Sequence, residues 1–181
     1  MSADELQELR EHAEKAREDR SLAAVSLTMA VLAVCVAVVS LLGHRAHTEE
    51  VVLQAQSSDK WAYYQAKNIR EHEDILFTEM AAVVASNDAA AVAKVREKYS
   101  QEAEKYKHDK DEIQEQAREL DREGAMEMRR ADRYDLAEVF LEIGLVVTSI
   151  TLLSGRRIFW HSGIVLSVVG VAVAVMGALV K

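Results

Sequence analysis

The 181-residue sequence contains no proline and only seven glycines. Proline breaks helix interiors and glycine weakens them, so little in this chain can interrupt a long helix. There is one cysteine, Cys35, which excludes a disulfide framework and any zinc-type cysteine spacing. Positive charge is in deficit, with a formal net charge of -8, which argues against nucleic acid as a partner. The sequence also lacks a nucleophile–base set, a phosphate-binding loop and a complete metal-ligand set. It therefore points away from an enzyme and implies no cofactor.

What the chain does have is segregation. Hydrophobic residues make up 50% and charged residues 29%, and they hardly mix. Apolar blocks occupy residues 22–43, 136–155 and 158–180. A run of about 20 apolar residues matches the roughly 30 Å hydrocarbon core of a bilayer. A buried helix of a soluble protein is rarely apolar on every face for that length. The blocks read as three transmembrane helices, with the lipid bilayer as the first partner. Leu22–Gly43 follows a charge-rich, helix-forming stretch of about twenty residues and reads as a retained signal anchor rather than a cleaved leader.

Arg10, Lys15, Arg17 and Arg20 precede the first block, and Arg156 and Arg157 lie between the second and third. Basic short flanks mark the cytoplasmic side. The expected topology is a multi-pass inner-membrane protein with a cytoplasmic N-terminus and segment 44–135 on the outer, periplasmic side. Residues 1–21 form a charged amphipathic helix, opened by a capping box at Ser2 and Glu5 and carrying Leu6, Leu9, Ala13 and Ala16 on one face. That stripe continues through Ala23, Ser26, Ala30, Ala33, Ala37 and Ser40, which suggests one unbroken helix into the outer segment.

Segment 44–135 holds two heptad series. Ala55, Ala62, Ile69, Leu76 and Val83 recur every seven residues, as do Val92, Tyr99, Tyr106, Ile113 and Leu120. Between them Ser86, Asn87 and Asp88 are turn and capping residues. Reversal there pairs Val83 with Val92, Leu76 with Tyr99, Ile69 with Tyr106, Ala62 with Ile113 and Ala55 with Leu120. The arms come out nearly equal, at about 43 and 47 residues. The expected fold is thus all-α: three transmembrane helices with a long antiparallel coiled-coil hairpin between spans one and two. The hairpin would stand about 60–70 Å from the bilayer.

Three stretches carry a family resemblance: "WAYYQAK" (Trp61 to Lys67), "RYDLAE" (Arg133 to Glu138) and "RRIFW" (Arg156 to Trp160). In these, and in its order of spans, most of the chain resembles the bacterial membrane proteins grouped as domain of unknown function 4337. The resemblance implies a three-span bacterial inner-membrane protein. It brings no established activity and no functional residue.

Several candidate surfaces follow from helical phase. Trp61 and Tyr64 share one side of a helix, while Tyr63 and Lys67 lie about 200° around it, which disfavours a single ligand box and suggests an oligomer or partner surface. His44, His47 and Glu50 lie one turn apart and offer a weak, incomplete metal set, against the plainer reading of polar interfacial residues. Small residues that allow close helix approach mark packing faces. These are Ala30, Ala33 and Ala37 in the first span, and Gly163, Ser167, Gly170, Ala174 and Gly177 in the third. The second span carries Ala137, Gly144, Thr148, Thr151 and Gly155.

Asp135, Glu138 and Glu142 share one face, continued by Ser149. If the second span began after Glu142, its apolar run would cover only about 17 Å, so Glu142 belongs to the hydrocarbon region. Glu142 and Gly144 lie about 200° apart, so the acidic face opposes the packing face. Either the acids pair with Arg45 or His44 and snorkel, or they line the axis of an oligomer as a cation pathway. Two functions remain open. One is a non-catalytic homo-oligomeric membrane scaffold whose hairpin meets a protein partner. The other is a cation-conducting or proton-coupled oligomer with an acidic ring.

Overall fold

The computed structural model describes residues 22–83 and 88–180 with their side chains, and the backbone of residues 3–21. Among the described residues all regular structure is helical: α1 (Ala3–Val83), α2 (Ala89–Ser154) and α3 (Arg157–Ala178). The capping box at Ser2 and Glu5, the side chains of the N-terminal stripe and basic cluster, and turn residues Ser86 and Asn87 fall outside the described residues. Asp88 is described. Its Oδ1 accepts the backbone N–H groups of Ala90 at 3.1 Å and Ala91 at 3.0 Å, satisfying donors that the first turn of α2 leaves unpaired. At the other end of α2, Gly155 takes a positive φ of 67°, a conformation other residues adopt only with strain. That residue closes α2 and lets α3 begin two positions later.

All three helices contain a stretch long and apolar enough to cross a membrane. The first stretch is only part of α1 and the second only part of α2, because both helices continue without a break into charged sequence. The chain divides into two compact units: Met1–His47 with Glu127–Lys181, and Thr48–Met126.

In the first unit α1 buries Val25, Leu32, Val39 and Ala46, one residue in seven. Leu32, Val39 and Ala46 form one cluster with Ala131, Tyr134, Ala137 and Leu141 of α2, with Val173 and Ala174 of α3 packed alongside. The buried set is small-to-medium apolar side chains, while Leu27, Val34, Leu41, Val146 and Val165 point outward, each more than 60% exposed. A water-soluble domain would hide residues of that kind, and a lipid-facing one presents them.

In the second unit the two arms pack antiparallel, as a hairpin requires. The second arm follows its apolar heptad: Ile113 is buried and Val92, Tyr99, Tyr106 and Leu120 are partly buried. The first arm does not. Ala55, Ala62, Ile69, Leu76 and Val83 are all exposed, Val83 to 84%. Its inward positions are instead Ser57, Tyr64, Glu71 and Thr78, together with Lys60, Lys67, Asp74 and Ala81. The expected height of pairing is nearly right, since Phe77 stacks on Tyr99 at 5.2 Å where Leu76 was placed. The first arm is turned about its own axis by two residue positions, about 200°.

Candidate functional site

The geometry begins with the acids of the second span. Asp135 is exposed and tied to α1: His47 donates from Nε2 to Asp135 Oδ2 at 3.0 Å. Glu138 is partly buried and Glu142 exposed, while Gly144 and Thr148, on the opposite face, are buried. Glu142 thus faces out of its own three-helix unit, and the acid held by a residue of α1 is Asp135, through the His47 hydrogen bond. Ser149 is occupied locally, its hydroxyl donating to the Val146 carbonyl at 2.7 Å. Of the four proposed pathway residues, Glu138 and Glu142 remain as outward-directed carboxylates.

His44 is exposed and Glu50 partly buried, and His47 is engaged as above. No group of three or more His, Cys, Asp or Glu side chains converges on a metal position among the described residues.

The small faces separate into two kinds. Gly163, Ser167, Gly170 and Gly177 are buried and Ala174 partly so. A Cβ on Gly163 would lie 2.7 Å from the Gly144 carbonyl oxygen, and one on Gly144 would lie 2.9 Å from the Gly163 oxygen. α2 and α3 therefore touch backbone to backbone at this point. Thr148 and Ser167 donate their hydroxyls to Gly144 and Gly163 carbonyls, each at 2.7 Å, which satisfies them inside the apolar layer. By contrast Ala30, Ala33 and Ala37 are exposed.

The hairpin seam is polar. Ser57 Oγ and Trp61 Nε1 both donate to the Asp121 carboxylate, Trp61 at 3.1 Å, and these bonds hold Asp121 below the usual carboxylate pKa. Lys60 donates to Gln116 at 2.7 Å. Lys67 donates to Asp109 at 2.8 Å, which raises the lysine pKa and lowers that of the carboxylate, and its ammonium lies 4.9 Å from the Tyr106 ring centroid. Lys110 pairs with Glu71, raising its own pKa, and donates to Asn68 at 2.9 Å. On the first arm, charged and amide partners therefore stand in place of the expected apolar layers, against a second arm that keeps Ala103, Ile113 and Ala117 buried. Trp61 also meets Tyr64 edge-on at 5.7 Å. Of the aromatic group, Trp61, Tyr64 and Lys67 are committed to the seam, and Tyr63 is 51% exposed.

Asp74 stands apart. It is buried in the seam with Oδ2 lacking a partner. Burial raises its pKa, the Glu102 and Glu73 charges raise it further, and Arg70 and Lys98 oppose the shift. Asp74, Glu71, Lys110, Asp109 and Asp121 escape an apolar-periodicity search, because charged residues on a helix read as solvated. The available signal was a second, polar heptad in the first arm, Ser57–Tyr64–Glu71–Thr78 and Lys60–Lys67–Asp74–Ala81, displaced two residues from the apolar one.

Comparison with known proteins agrees with the resemblance noted from the sequence. A family model described as "Domain of unknown function (DUF4337)" matches residues 21–180. No curated protein and no solved structure matches the chain.

Proposed function

This chain belongs to the family of domain of unknown function DUF4337, and from that premise we propose a non-catalytic, homo-oligomeric scaffold of the bacterial inner membrane. In this reading the three apolar helices anchor each copy, the N-terminus is cytoplasmic and the hairpin is periplasmic, where it meets a protein partner. The observation that carries it is the continuity of α1 and α2, each a single helix that supplies both a membrane-length apolar stretch and a hairpin arm. Such helices suit a membrane-anchored, non-catalytic element better than a catalytic cleft. The basic residues Arg156 and Arg157 between α2 and α3 support the orientation by their charge. Cysteine labelling from either side of spheroplast membranes tests it. With Cys35 replaced by alanine, a cysteine in the hairpin is expected to react with an impermeant reagent added outside, and one beside Arg156 is not.

A second reading has its own support in Glu142, an exposed carboxylate opposite the glycine face. In an oligomer, Glu138 and Glu142 would ring an axis and favour cations. Flux into liposomes, compared for wild type and Glu142→Gln, separates the readings. The scaffold gives no flux in either, and the channel gives flux that Glu142→Gln reduces.

A further inference from the structure

The outer face of the first hairpin arm holds Ala66, Ile69, Glu73, Leu76, Met80 and Val83, at spacings of three and four residues, and all are exposed. This stretch is about 26 Å long at the helical rise. Ile69, Glu73 and Leu76 lie about opposite the inward positions Glu71, Asp74 and Thr78 on the helix, whereas Met80, nearer the tip, borders a groove shared with Val92, Val95 and Tyr99 of α2. The hairpin's own seam meanwhile buries Ser57, Glu71 and Asp74. The first arm thus turns polar residues toward α2 and leaves its own seven-residue apolar repeat outside, where burial would contribute most to stability. Ile69, Leu76 and Met80 are 59%, 57% and 52% exposed.

A repeat of this spacing takes another helix as its occupant, since the 3.5-residue period is that of a two-helix seam. The second arm of a neighbouring copy does not fit. Its outward residues include Lys94, Lys105, Glu112 and Glu119, all exposed and charged. The first arm of another copy does fit, apolar against apolar. Copies inserted in one bilayer in one orientation are related by rotation about its normal, so equivalent residues lie at equal height. That relation makes the two first arms parallel and in register. In the other unit α1 also leaves a face uncovered, that of Ala30, Ala33 and Ala37, small enough for close helix approach. Each unit separately leaves α1 exposed.

We propose that the outer face of the first arm is a parallel, in-register α1–α1 seam between two copies of this chain. Ile69, Leu76, Met80 and Val83 meet their equivalents, and Glu73 meets Glu73 as the one repulsive layer of the stretch. The proposal rests on the homo-oligomeric reading above and adds its interface.

The test uses the full chain with Cys35 replaced by alanine, oxidised in native membranes, with single cysteines at positions 69, 76, 101 and 108. Disulfide-linked dimer is expected from Ile69→Cys and Leu76→Cys, and not from Gln101→Cys or His108→Cys on the outer side of α2. Cross-linking through 101 or 108, or capture at 69 and 76 of a different protein without self-linkage, overturns the seam. Native mass in lipid nanodiscs, read in parallel, separates the two levels. An oligomer that does not link through 69 and 76 sinks this seam alone, whereas a monomer sinks the oligomeric reading as well. Because these side chains are exposed in the single chain, Ile69→Glu with Leu76→Glu is expected to keep the helical content and weaken self-association by at least about tenfold. Glu73→Leu is expected to strengthen it, and weaker association of that variant contradicts the register.

Discussion

Asp74 shows at the scale of one residue what the polar seam costs. Its carboxylate is buried, one oxygen has no partner, and both burial and two acidic neighbours raise its pKa from 3.8. A raised carboxylate pKa means the folded chain holds the proton more tightly than the unfolded one. The resulting penalty is present above the native pKa and disappears as pH falls toward 3.8. Asp74→Asn is therefore expected to stabilise the protein near neutral pH by about 1 kcal/mol, the low end for an unpaired buried group. The gain should vanish on acidification. Thermal unfolding followed by circular dichroism across pH reads it, and a loss of stability at neutral pH counts against the account. Gly163 makes the opposite case. A methyl group there would lie 2.7 Å from the Gly144 oxygen, so Gly163→Ala is expected to force α2 and α3 apart at about 2 kcal/mol. Unfolding of the variant in mild detergent measures it.

At the scale of the element, the second arm was readable in the sequence and the first was misread. Val92, Tyr99, Tyr106, Ile113 and Leu120 form one series, and it faces the seam. The first arm carries two heptads, one apolar and one polar, and hydrophobic periodicity selects the apolar one. Nothing in a single-chain periodicity says that a lysine or glutamate series is inside, because that depends on partners such as Glu71 for Lys110 and Asp109 for Lys67 that lie across the hairpin. The helical phase that sets Glu142 against Gly144 was legible, since it needs only the pitch of one helix. Its neighbour was not, because the pairing of Asp135 with His47 depends on how two helices dock. This arrangement predicts an inversion of the usual core rule. Lys110→Ala, which leaves Glu71 buried without its cation, is expected to cost about 3 kcal/mol in chemical unfolding. Ile69→Ala, measured at a dilution where copies are dissociated, is expected to change the stability of the single chain by less than about 0.5 kcal/mol. Equal costs would put the apolar heptad back in the seam. Asp109 and Asp121, whose pKa values are lowered by Lys67 and by Ser57 with Trp61, support folding above 3.8 and lose that contribution as pH falls below it.

At the scale of the whole molecule, the three membrane-length helices and the all-α class were plain from composition, because length and apolarity decide them. What covers the exposed faces of α1 was not, since a single sequence carries no record of a neighbour. The apolar face on the first hairpin arm, and the exposed small-residue face of α1 at Ala30, Ala33 and Ala37, both suit additional copies of the chain. The most direct test is the mass of the purified full-length protein in lipid nanodiscs by native mass spectrometry. The account predicts a species at an integral multiple, two or greater, of 20.2 kDa. A single 20.2 kDa chain at concentrations where the bilayer is not limiting contradicts it.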